Sequence, residues 1–107
     1  MEGLTVGRIV HYVLSEKDVN NIHASRVTRI PEDTPKGIQI NRGNTINLGD
    51  HDHVPMIIVR VFQREFGPNE PGVNGQLFLD GNDQFWVTSV RYDEDKSPGT
   101  WHWLEKV

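Results

Sequence analysis

Apolar and polar residues alternate in short runs along most of this chain, and that pattern reads as β structure. The first run, TVGRIVHYVL at residues 5–14, carries Val6, Ile9, Val10, Tyr12 and Val13, with Arg8 and His11 as polar interruptions. β-Branched and aromatic side chains at this density predict a strand. In SEKDVNNIHASR, directly after it, the period changes. Val19 and Ile22 stand three apart, and Ser15 with Asp18 has capping-box spacing. A helix is predicted there, kept short by Asn20 and Asn21, which form helix poorly.

Residues 27–53 are punctuated by Pro31, Pro35 and Gly37, and GIQINRGNTINLG holds two short alternating runs around NRGN. This composition fits a hairpin or an extended arm, folded onto the body or reaching to a neighbouring subunit. Beyond it the chain reads as strands. PMIIVRVF sets Met56, Ile58 and Arg60 on one side and Ile57, Val59 and Val61 on the other. REFGPNEPG reads as a turn-rich loop, and VNGQLFLDG as a strand ended by Asp80-Gly81. QFWVTSVRY divides into Phe85, Val87, Ser89, Arg91 and Trp86, Thr88, Val90, Tyr92. After Pro98-Gly99, TWHWLE is the last strand.

Five short strands with one helical insert predict an all-β fold. The expected form is a small five-stranded barrel, Src-homology-3-like or Tudor-like, with an open five-stranded sheet as the rival. Closure would remove the edges that short hydrophobic strands otherwise expose. At 107 residues the chain is read as one domain, residues 1–107, with a helix and extended arm inserted over residues 15–53.

Composition narrows the chemistry. There are no cysteines, which removes disulfides, thiolate metal sites and thiol nucleophiles together. Fifteen acids against eleven bases give a formal charge of −4, and no Lys/Arg cluster offers a stripe for a nucleic-acid backbone, so no DNA or RNA partner is expected. No run approaches the ~20 apolar residues of a membrane span. MEGLTVGRIV lacks the features of a signal peptide, so a cytoplasmic location and no membrane partner are expected.

Catalytic signatures are missing. His102 could be paired with Asp93 or Glu105, but no nucleophile elbow or metalloprotease helix is present, and Ser89 lies within a strand. The sequence therefore predicts no enzyme and no cofactor. Gly43 in NRGN could form a small anion nest, but such a stretch more often means only a tight turn. His51 and His53 flank Asp52 with strand spacing for a metal pair. A site would need a third ligand from His11, His23 or His102, and no metal is assigned.

The aromatic and arginine residues make the most informative set. Tyr12, Trp86, Trp101 and Trp103 lie on predicted strands with Arg8 and Arg60 beside them, and alternation puts Trp101 and Trp103 opposite His102. If the tryptophans face inward they plug the barrel and expose His102; if outward, they form a stacking platform. One is expected in the core and the other in contact with a ligand. The candidate binding residues are Arg60, Trp86, Trp101, His102, Trp103, Tyr12 and Arg8.

VGRIVHYVL, PMIIVRVF, FWVTSVRYDED and PGTWHWLE together resemble a family of small bacteriophage and prophage proteins that open on GRIVHYV and close on GTWHWPE. Leu104 and Arg91 stand where that family often has proline. The resemblance implies a phage origin rather than a mechanism, and small motif-free phage proteins are often virion accessories or inhibitors of host defence. The expected function is non-enzymatic capture of a nucleotide-like small molecule. A homo-oligomer would act as a sponge for a cyclic nucleotide or cyclic ADP-ribose signal in the host cytoplasm. The alternative is a virion or structural interaction protein with no small-molecule ligand.

Overall fold

The computed structural model describes residues 1–28 and 43–105. Its elements are β1 (Ile9–Val13), α1 (Glu16–Thr28), β2 (His53–Gly67), β3 (Glu70–Phe78), β4 (Gln84–Tyr92) and β5 (Thr100–His102). The five strands close into a barrel in chain order, so the small all-β barrel expected from the strand pattern is the fold. β1 through β4 pair antiparallel with their neighbours, β5 returns antiparallel to β1, and β4 meets β5 in parallel. Most of the expected arm falls outside the described residues.

Val10, Tyr12, Met56, Ile58, Val73, Leu77, Val87, Val90 and Trp101 are all buried and form one core. Trp101 is fully buried. Gly75 also faces this interior. A Cβ there would lie 2.5 Å from Met56 Cγ and 2.8 Å from the Ile57 carbonyl oxygen, so glycine is what lets β2 and β3 approach around methionine.

α1 begins at the capping box anticipated from its spacing. The Asp18 amide donates to Ser15 Oγ at 3.1 Å, and the Ser15 amide donates to Asp18 Oδ2 at 3.0 Å. Val19 and Ile22 turn into the core beside Leu14, Ile46 and Leu79. Near the other end, buried Arg26 forms a two-pronged ion pair with Asp83, Nε to Oδ2 at 2.7 Å and Nη2 to Oδ1 at 3.0 Å. Its Nη1 donates to the Asn44 carbonyl at 2.9 Å. A guanidinium held this way is satisfied on several sides. Deleting its carboxylate would leave a buried charge, a loss on the order of 3–5 kcal/mol.

Two strand readings are corrected. Simple alternation put Arg60 with Met56 and Ile58, but the pairing shifts between Ile58 and Arg60, so Arg60 and Val59 are both exposed and Val61 packs on the core. The same happens on β4, where the shift between Val87 and Val90 buries Val90 and leaves Ser89 exposed with φ 53°. Both irregularities lie opposite Asn74, whose side-chain oxygen accepts the Ser89 amide at 2.9 Å. An extra residue on one strand reverses every face beyond it. The third correction is REFGPNEPG: β2 runs on to Gly67 and β3 starts at Glu70 opposite it, so Pro68 and Asn69 turn a hairpin whose ladder is irregular between Phe62 and Gly67.

Replacing Trp101 by Ala should remove ~3–5 kcal/mol of stability and lower the melting temperature by roughly 10 °C or more. Trp86→Ala, on the outer surface, should change stability by no more than about 0.5 kcal/mol. Thermal melts of the two variants check the contrast, and equal losses would contradict the assignment of inner and outer faces.

Candidate functional site

The seven aromatic, arginine and histidine candidates separate into three places. Trp101, Trp103 and Tyr12 belong to the barrel interior and its end. The Trp101 ring meets Tyr92 edge-on at 4.9 Å and Trp103 nearly perpendicular at 5.0 Å. A fully buried ring has no face to offer a ligand, so Trp101 acts in packing. Trp103 is half-buried, and the Arg8 guanidinium sits 5.4 Å from its ring centre, a cation–π contact at the surface. Tyr12 lies opposite Trp101 in the ladder and donates its hydroxyl to Asp18 Oδ2 at 2.6 Å. Burial, followed by the Asp18 hydrogen bond, pushes its pKa far above the ordinary tyrosine value, so the hydroxyl stays protonated and tied to α1.

His102 points to the other side of β5, as alternation requires, but it is not exposed there. With the tryptophans inward, the sequence reading left His102 in solvent; it is instead only 3% exposed. Neighbouring strands cover it. The His11 ring centre lies 5.7 Å away, that of His53 5.1 Å, and Glu105 Oε1 sits 3.3 Å from His102 Nε2. Glu105 Oε1 is also 3.3 Å from His53 Nδ1 and from Lys96 Nζ. Lys96, by hydrogen bond and charge, is the main cause that holds the exposed Glu105 carboxyl below its usual range. The His102 pKa is lowered chiefly by burial, which the Glu105 hydrogen bond opposes in part.

Nδ1 of His11 and Nδ1 of His102 are buried without a hydrogen-bond partner among the described residues. Each such orphan costs on the order of 1–3 kcal/mol. The other two histidines stay apart: His23 on α1 accepts the Ile46 amide at 3.4 Å, and exposed His51 stands 3.8 Å from Asp50.

The third place is the outer face of β1 to β4. Ile9 pairs with Ile57, Ile57 with Gln76 and Gln76 with Trp86, giving one outward row across four strands. Trp86 is 46% exposed and borders an open depression of about 510 Å³ that Gln76, Asn82 and Gln84 help to line. Arg60, beyond the shift in β2, lies over the Phe62 ring at 4.8 Å on the same side. Only Trp86 and Arg60, of the seven candidates, share this face.

Comparison with family models, curated proteins and solved structures returns no match to this chain. No helix among the described residues is long and apolar enough to cross a membrane. The sequence reading weighed His11, His53, His102 and Glu105 as possible partners without bringing them together, and it did not reach the Arg26 clamp. Each depends on strand register or on a contact across more than 40 positions, and no local spacing encodes it.

A pH test follows from buried His102. Burial disfavours the charged ring, so the folded protein binds its proton less tightly than the unfolded chain does. Stability contributed here is intact above the unfolded value of about 6.5 and is lost as pH falls through that value, where the unfolded chain is the one that takes up the proton. Urea midpoints in chelator-treated buffer should fall from about pH 7 to about pH 5, and the slope should shrink in His102→Gln. A ring that titrates by NMR at or above the ordinary value would overturn this account.

Proposed function

We propose that this protein is a non-enzymatic binding protein that works through the outer face of β1–β4. The observation that supports this reading is the row Ile9, Ile57, Gln76 and Trp86, exposed at Ile9 and Trp86 and half-buried between them, with Val59 and Phe78 exposed beside it. Connected apolar surface of this kind on a small domain marks a place of contact. Trp86 offers a ring for stacking, Gln76 an amide edge and Arg60 a charged donor. Together they suit a base and a phosphate.

The ligand class that fits is a nucleotide-like small molecule, a cyclic nucleotide or cyclic ADP-ribose held without cleavage. Trp86 and Arg60 stand on strands two spacings apart, roughly 10 Å, a span within reach of a ligand of dinucleotide size. The face is open, so a pocket on it needs a second copy of the chain. A two-fold axis would then present each Trp86 and Arg60 twice. The resemblance to phage proteins supplies the setting, a sponge for a host immune signal in the host cytoplasm.

A second reading, an interaction protein with no small-molecule ligand, draws on the apolar character of the same row. Ile9, Ile57, Val59 and Phe78 are side chains that a protein partner buries well and a nucleotide does not need.

The test is incubation of the pure protein with cyclic dinucleotides, cyclic trinucleotides and cyclic ADP-ribose isomers, followed by chromatography of free ligand before and after heating the protein. A ligand that disappears and returns intact is the expected result, with Trp86→Ala and Arg60→Ala abolishing capture while melting temperature holds. A ligand that returns altered would mean an enzyme. If every ligand stays free, the interaction reading takes over, and Trp86→Asp should then change the oligomeric state.

A further inference from the structure

Three of the five histidines meet on the outside of the barrel although they stand at positions 11, 53 and 102. Ladder register sets His11 directly opposite His102, and sets His53 opposite Val13, two residues along β1 from His11. Alternation turns all three rings outward. Glu105, three residues past His102, folds back over them. We propose that His11, His53, His102 and Glu105 bind one divalent transition-metal ion of the zinc class on the outer wall of the barrel.

The donor set is three imidazoles and a carboxylate, which suits zinc and its neighbours and does not suit calcium or magnesium. Geometry supports it. Ligand atoms of His11, His102 and Glu105 all lie within 4.8 Å of one another. A tetrahedral ion with bonds of ~2.0 Å holds its ligand atoms ~3.3 Å apart. Glu105 Oε1 already stands 3.3 Å from both His102 Nε2 and His53 Nδ1. The remaining adjustment falls on His11, whose ring must turn closer.

Two further observations agree. His11, whose ring must turn closer, keeps a buried Nδ1 that no described group satisfies, whereas buried nitrogens of this kind are normally bonded; the orphan Nδ1 of His102 lies across its ring from the ligating Nε2 and is not a ligand atom. Asp52 Oδ1 lies 3.8 Å from His53 Nε2, behind the nitrogen that faces Glu105. At that distance it is not yet hydrogen-bonded, but a carboxylate on this side of a ligating imidazole is placed to orient the ring once it closes in. Lys96 opposes the ion, since its ammonium occupies the same Glu105 oxygen at 3.3 Å. It is half-exposed on a flexible stem, so it can swing into solvent when a metal arrives.

Nothing in this site's ligand set draws on the nucleotide reading. Its effect is mechanical: an ion there joins β5, only three residues long, to β1 and β2.

The test is calorimetric titration of the chelator-stripped protein with zinc, repeated with cobalt(II) and followed by visible absorption. One ion per chain, tetrahedral cobalt bands and a raised melting temperature are expected. Glu105→Gln and His53→Gln, both at exposed positions, should each weaken binding about tenfold or more, the scale that even outer-shell partners reach. Lys96→Ala should tighten it by freeing the carboxylate, and His51→Gln should leave it unchanged. The proposal is overturned by the absence of saturable binding. Binding that survives Glu105→Gln and His53→Gln but falls with His51→Gln would overturn it equally.

Discussion

Closure of the barrel by a strand of only three residues is the constraint on which the rest of this structure depends. Without Thr100–His102, β1 and β4 would be open edges, each with a row of unpaired amides and carbonyls. β5 fills the gap with two unlike ladders, antiparallel to β1 and parallel to β4. Backbone bonds extend it at both sides: the Gly99 amide donates to the Val13 carbonyl at 2.7 Å, and the Asp93 amide to the Trp101 carbonyl at 2.9 Å. So short a ladder cannot hold by hydrogen bonds alone, each of which nets only ~1 kcal/mol. Trp101 supplies the rest, because a fully buried indole anchors the strand from inside. Consecutive side chains then take opposite jobs, Trp101 inward and His102 outward.

The helix depends on the barrel at both of its ends. At the first turn Asp18 serves two masters with one oxygen, the Ser15 amide and the Tyr12 hydroxyl, so the cap of α1 is also a bond to β1. At the last turn the Arg26–Asp83 pair and the Asn44 carbonyl tie α1 to the β3–β4 turn and to the segment before β2. Gly43 makes that meeting possible. Its φ is +71°, and a Cβ there would stand 2.0 Å from the Asp80 carbonyl oxygen. Sequence-wise α1 is a polar helix with little amphipathic character; its place is fixed by these ties more than by its apolar face.

How far the sequence could be read follows from the range of each signal. Capping spacing at Ser15 and Asp18, and strand patterning around Val10, Met56 and Val87, are local, and they were legible. Period-two reasoning failed where one residue was added, at Val59–Arg60 and at Thr88–Ser89, because nothing in the strand itself announces a bulge. Asn74 across the ladder holds one of them, and only the pairing reveals that. REFGPNEPG was read as a loop since Gly, Pro and Asn dominate it, yet two residues are enough to turn a long hairpin. Arg26 finds its partner Asp83 57 positions on, a contact that no window of sequence holds. His11 and His102 are joined by the register of β1 with β5, information that belongs to the closed barrel and to no window of sequence.

The two outer features occupy adjacent rows of one surface, and this gives the barrel wall a physical division. On one row, His102 pairs with His11 and His11 with Pro55; on the next, Ile9, Ile57, Gln76 and Trp86 run parallel to it. β1 and β2 carry both rows, so any ligand that stiffens the first also stiffens the backbone beneath the second. An interface costs less to form when its surface is already ordered, because side-chain and backbone entropy has been lost beforehand. A metal at the histidines would therefore strengthen contacts at Ile9 and Ile57 without touching them. By linkage, whatever binds that row would strengthen the hold on the ion to the same degree.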